Sequence, residues 1–595
     1  MFTDQFNQNG SGEEQDNPLK VDSMLHAEDD LECGSLDVSG TFELDGDLSC
    51  ADMSVSGDAK IKGDMGCSTL GVPGELWCDG DLSCADFSVS GHAYVRGDTT
   101  CASFDMSGEF DAEGDFTSVN AKFTGAASID GDVTCNSLYV SERFLGSQGD
   151  LSCSVLNVSK KGSASFNGDA KCSSLVVDDD GHFSAEGDLT CKASAKISGK
   201  AYVVGDTDCQ SLDVSGKFSA AGDIERRVMN VSGTLETESD IECKEAFKVT
   251  ENGKVNVGGD LRCESADISD GNVNVEGDAK CDDFSSSGTV NIKGDLSCDD
   301  IIANGEITVG CDVKAEKFYA ENAKIGGSLY LGEGFCVETT ANISGSAECE
   351  YLASNGTVSV GGSLLCGTRS AASGGSPSAR ESITSSGTIN VAESIKCDGY
   401  IRHNGTITAG DSLACECLIA DGNVNVGDSA KCDGVFQTSG TANIGDSLSC
   451  GSVSVSGTLR CGDSVSCVGD ITADGNVSVG EDIHAKSVHI KGEALIGGLL
   501  AANIVRIETE RGEVQIDKVT GDTISIAPLE KALRKAPTAK VNTVEGGSVT
   551  LECVRAALVI GDTVRIGDGC EIETVRCSGT PIISDGAKVA SIERA

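Results

Sequence analysis

A cysteine returns at fixed intervals along most of this chain. Cys33, Cys50, Cys67, Cys84 and Cys101 stand 17 residues apart, and the series runs on at slightly looser spacing from Cys135 to Cys298 and again from Cys349 to Cys467. Gly-Asp keeps the same period at Gly46-Asp47, Gly63-Asp64, Gly80-Asp81 and Gly97-Asp98. A residue recurring once per short unit over several hundred positions reports a stacked architecture before it reports chemistry. The unit over residues 35–52 reads SLDVSG, TFELDG, DLSCAD: three short runs, each alternating apolar and polar and each closing near Gly or Asp. Alternation with period two marks a half-buried strand, and Gly/Asp/Ser clusters mark turns. Leu36, Val38, Phe42, Leu44, Leu48 and Cys50 then face one side, with Asp37, Ser39, Glu43, Asp45 and Ser49 on the other. The next unit sends Met53, Val55, Ala59, Ile61, Met65 and Cys67 inward.

Three strands in 17 residues leave no room for a helix. The pattern predicts an all-β chain, a single-stranded parallel β-helix in which each unit is one coil. Neighbouring coils pair through parallel ladders about 4.8 Å apart. One coil cannot bury its apolar face alone, so stability grows with coil number. Roughly 26 or more coils fit between residues 31 and 500. The drift of the period between 17 and 20 favours a right-handed solenoid over the strict hexapeptide left-handed form. The 75 glycines fall mostly at corners, where positive φ or close backbone approach is needed, and the scarcity of proline (six residues) suits a sheet that uses nearly every N–H.

The domain reading has three parts. Residues 1–30 form an acidic, disordered tail. Residues 31–500 form the repeat domain, with a Ser/Ala/Gly-rich loop insertion at 367–387. Residues 501–595 form a β-rich capping region with a short helix near 528–535 (PLEKALRK), which holds the densest basic group, Lys531, Arg534 and Lys535.

Net charge is −51, while residues 499–595 hold 14 acids against 12 bases, so nearly all the excess lies upstream. Outward strand positions such as Asp37, Glu43 and Asp45 carry it. This balance argues against nucleic-acid binding, which needs a basic face. No apolar leader segment and no run of 18 apolar residues is visible, so the 29 cysteines read as reduced thiols in a cytosol.

Three readings compete for the cysteines. They are small buried hydrophobes at a tight inward slot, cross-links between coils, or metal thiolates. Against zinc, the chain has no CxxC; Cys415 and Cys417 are only two apart. Ser118, Arg226 and Ala315 take the slot without a thiol, which a packing position tolerates and a ligand array does not. A buried arginine needs a partner, so the Arg226 coil is expected to bulge outward. The six histidines, including His92, His182 and His403, are scattered and read as surface residues. Calcium-binding turns of the GGxGxDxUx type are not matched, nor is a GxxxxGK[ST] phosphate loop. No catalytic, cofactor-binding or metal-ligating residue is assigned, and no small-molecule substrate is expected.

Units such as VSGDAKIKGDMGC, VSGHAYVRGDTTC and SSGTVNIKGDLSC resemble the repeats of bactofilins, the polymer-forming cytoskeletal proteins. GLLAANIVRIE, GDTISI, VEGGSVTLECVRAALVIGDTVRIGDGCEIETV and GAKVASIE resemble the C-terminal block of a long-repeat branch of that family. The resemblance implies a non-enzymatic cytoskeletal scaffold that self-assembles end to end into filaments without nucleotide. It implies a cytoplasmic location extending to the inner face of the membrane, a role in cell shape, and membrane-associated or cell-envelope proteins as partners beside the chain itself. This chain is longer and more acidic than a typical member. The alternative expectation is an exported β-solenoid adhesin or surface sheath protein.

Overall fold

The computed structural model describes residues 18–142, 146–367, 381–509, 513–529 and 538–594. Among them every regular element is a strand, and strands one coil apart pair in parallel. The chain is a parallel β-solenoid of about 32 turns. It divides into two compact units, one of residues 1–282 with 286–292 and one of 283–285 with 293–595.

In the first unit a coil is an eight-residue strand followed by a four-residue strand, as in Leu48–Val55 and Asp58–Ile61. The sequence reads three strands here. The third run of one unit and the first run of the next fuse because the corner between them, Ala51 and Asp52, is made by two successive outward residues rather than by a glycine. Register is strict: Cys33 pairs with Cys50, Leu36 with Met53 and Val38 with Val55. The six inward residues named for the first coil are all buried. Twelve phenylalanines join the aliphatic core fully buried. Phe104 gathers Phe87, Phe110, Phe116 and Phe123 with ring centroids 5.0–5.1 Å away. In the second unit five coils between residues 347 and 479 split into three strands, as in Ala347–Cys349, Tyr351–Ser354 and Thr357–Val360.

The corner glycines serve close approach far more than positive φ. A Cβ on Gly57 would lie 2.1 Å from the Gly40 carbonyl oxygen, and one on Gly91 would lie 2.0 Å from that of Gly74. Longer coils spend their extra residues in left-handed corners such as Lys161, Asp180 and Asn252.

Several boundaries differ from the sequence reading. Strands Pro18–Val21 and Met24–Ala27 already pair with the following coil, so the repeat begins inside the expected tail of residues 1–30. Of the expected loop 367–387, Gly367 turns with φ +91° and residues 368–380 lie outside the described set. Glu381–Ser385 is a strand in register with Tyr351–Ser354. Its serine-rich composition suggested a turn, but alternation wins and buries Ile383 and Ser385. Strand Ala494–Thr509 runs across the expected boundary at 500. Beyond it each coil is largely one long strand, Val514–Pro528, Ala539–Leu551 and Val554–Ile566, and these strands build a β-rich C-terminal cap. Pro528 closes a strand and the Leu529 N–H donates to the Thr509 carbonyl at 2.8 Å; residues 530–535 of the expected helix, with Lys531, Arg534 and Lys535, lie outside the described set.

Candidate functional sites: two internal ladders and a terminal strand

Most ladder cysteines are the third residue of the strand that opens each coil, and Cys281 and Cys298 directly follow the two-residue strands Ala279–Lys280 and Leu296–Ser297. Leu48 points in, Ser49 out and Cys50 in, so the thiol lands in the core at one position per coil. None of the 29 cysteines forms a disulfide in this structure. Sγ–Sγ separations are 3.1 Å for Cys172–Cys191, 3.4 Å for Cys349–Cys366, 3.2 Å for Cys415–Cys432 and 2.9 Å for Cys450–Cys467. Burial, which penalises the thiolate, pushes Cys101 and Cys397 up to about 11 and Cys243 up to about 12. Such thiols are protonated and unreactive at neutral pH.

Among the described residues no three His, Cys, Asp or Glu side chains converge to hold a metal ion. Cys417 does not join Cys415: its sulfur accepts the Val435 N–H at 3.4 Å, while Cys415 faces Cys432.

The ladder gaps are instructive. Ser118 sits between Cys101 and Cys135 and donates its hydroxyl to the Asn120 carbonyl at 3.1 Å. Ala315 is buried in the same slot. Arg226 corrects the expectation of an outward bulge. It is 2 % exposed, stacked between Cys209 and Cys243, and its Nε, Nη1 and Nη2 have no hydrogen-bond partner among the described residues. The irregularity falls on the next strand, Ile241–Val249, whose extra residue shifts the register between Arg226 and Val228. Burial drives the guanidinium pKa down, with only the two neighbouring thiols and Asp208 opposing.

The recurrent Asp is a second ladder. Asp30 Oδ1 accepts the Asp47 N–H at 2.9 Å, Asp47 that of Asp64 at 2.8 Å, and Asp64 that of Asp81 at 2.9 Å. The chain of bonds continues through Asp223 and Asp240 to Asp278. In the second unit serine takes the post: the Ser346 N–H donates to Ser328 Oγ and the Ser363 N–H to Ser346 Oγ, each at 3.1 Å. The motif therefore satisfies a corner N–H that the inter-strand ladder leaves over. The requirement is a short side chain with an acceptor oxygen, which explains the exchange of Asp for Ser.

His403 also departs from expectation. It is 1 % exposed in an inward column with Ser385 and Ala420. Its Nε2 accepts the Gly405 N–H at 3.1 Å, Nδ1 has no hydrogen-bond partner among the described residues, and burial holds its pKa below the ordinary value. His92 and His182 stay at or near the surface, His92 pairing with Asp111 at 2.9 Å.

At the C-terminal end of the second unit, Lys588–Arg594 pairs on one side with Glu571–Cys577 and has no other paired strand among the described residues. Ile592 is in register with Val575, which is fully buried, yet Ile592 is 56 % exposed. An apolar side chain and a row of strand hydrogen-bonding groups are thus presented together.

These features define a parallel β-solenoid repeat protein held by internal ladders. No protein-family model, no curated protein and no solved structure matches the chain.

Proposed function

We propose that this chain is a non-enzymatic, bactofilin-like cytoskeletal scaffold. It self-assembles end to end into filaments without nucleotide, works in the cytoplasm up to the inner face of the membrane, and positions envelope-associated partners. The observation that carries the reading is strand Lys588–Arg594, which has no paired strand on its outer side among the described residues and leaves Ile592 exposed in the column of buried Val575. Adding a coil from another copy would bury that side chain and continue the parallel ladder. Unlike ends joining head to tail give an open, growing filament.

The test is Ile592→Lys in the full chain, imaged by negative stain and followed by sedimentation. Long particles from the unaltered chain and short ones from the variant are expected. Equal filament lengths would remove the terminal strand from the joint. Absence of filaments from both would refute assembly. Cell fractionation with thiol titration separates this reading from an exported sheath, in which extensive disulfides are expected.

A further inference from the structure

One face of the second unit differs from the acidic pattern of the chain. Eight successive coils, from the segment 340–343 to strand Asn476–Val479, stack in parallel register. Each sends two residues outward, which makes sixteen positions in two columns. Fifteen are Thr, Ser or Asn and one is Arg460; none is a carboxylate. The same slots in the opening coils of the first unit carry Glu43, Asp58, Glu75 and Asp111, and later coils of that unit mix lysine, histidine and Glu236 among their Ser and Asn. Asn425 and Asn443 already form an amide rung, Nδ2 to Oδ1 at 2.9 Å.

We propose that this Thr/Asn face is a lateral docking surface for a second copy of the chain. Hydroxyl and amide groups are donor and acceptor at once, so such a surface complements itself. Its period, one pair of side chains about every 4.8 Å, matches a partner with the same coil spacing. Stacked polar ladders of this kind join sheets face to face in cross-β assemblies.

The rims choose the orientation. One rim carries exposed Glu393, Asp411, Asp428, Asp446, Asp463 and Glu481, while the other is Asn or Ser at most coils, with Asp421 and Asp474. A two-fold axis along the coil stack sets each acidic rim against the partner's milder one. The perpendicular two-fold sets acid on acid. Copies therefore pair in parallel, and added salt strengthens the pairing by screening the rims.

Seven steps of about 4.8 Å by a strand of about 13 Å give roughly 440 Å² per copy. About 900 Å² in total is at the weak end for a specific contact. The pairing rests on the scaffold reading for its strength, because filaments repeat it and avidity multiplies it.

The experiment places photoreactive p-benzoylphenylalanine at Thr408 of the full chain, in an equal mixture of isotopically light and heavy protein at high concentration. Cross-links between light and heavy chains that land on residues 340–343, 357–360 or 388–479 are expected, with a yield that rises with salt. Adding Asn390→Glu and Asn425→Glu is expected to lower that yield about tenfold by like-charge repulsion. Adducts confined to one chain, or spread over other faces, would overturn the proposal and leave the face to water or to a different partner. Failure of end-to-end assembly is read separately from particle length and leaves the cross-link result standing.

Discussion

Arg226 is a charge buried in a column of thiols, and replacing it changes the stability of its coils. Its guanidinium is buried between two thiols with no hydrogen-bond partner among the described residues, in a slot that neighbouring coils fill with Cys. An uncompensated buried charge typically costs about 3–5 kcal/mol. Arg226→Met removes the charge at almost constant volume and is expected to stabilise its coils by about 3 kcal/mol. Arg226→Cys restores the ladder residue but leaves a void of roughly 60 Å³, which at about 24 cal/mol per Å³ returns about 1.4 kcal/mol. Its net gain is therefore about half that of Met. A solenoid does not unfold in one step, so the assay must be local. Native-state hydrogen exchange on strands Thr207–Val214, Ile224–Val231 and Ile241–Val249 reads it directly. A gain of about 3 kcal/mol slows their exchange roughly 100-fold in Arg226→Met, with distant coils unchanged. Unchanged or faster exchange in both variants would show that the charge is compensated and the cost misjudged.

The buried thiols make the fold alkali-sensitive. Their folded pKa values lie above the ordinary value of 9.0, so the folded state holds more protons and stability is lost as pH rises from about 9 through 11–12; circular dichroism against pH should show collapse in that window and a flat response near neutrality. His403 acts at the other end: its pKa is lowered in the fold, so the unfolded state binds the proton first and stability falls as pH drops below about 6.5, by at most about 1.4 kcal/mol per pH unit. His403→Ser should flatten that slope in exchange measurements on Tyr400–His403. Brief alkylation of the native protein should label exposed Cys311 first, with the buried ladder thiols reacting only on unfolding, as peptide mass spectrometry can check. Cys84→Ala should cost its coil about 1 kcal/mol and Cys84→Asp at least about 3 kcal/mol, and equal losses would mean the thiol does more than pack.

The parallel coil, the inward set and the slot of the cysteines were all legible in the order of residues alone. Those depend on alternation and period, which are local and repeat many times, so one misread unit is outvoted by its neighbours. Leu36 through Cys50 went inward as read because period-two geometry leaves each side chain a single face. What the sequence did not show depends on what stacks above and below. The Gly-Asp motif looked like a turn signal; only stacking revealed that each Asp oxygen accepts the next coil's N–H, and that Ser does the same. Arg226 and His403 looked like residues a coil would expel. Tertiary structure kept them inside, because neighbouring coils hold their register and a strand cannot turn one residue outward without turning all the others inward-out. The carboxylate-free face was in the sequence too, scattered over some 140 positions as Thr, Ser and Asn; register alone gathers them into two columns.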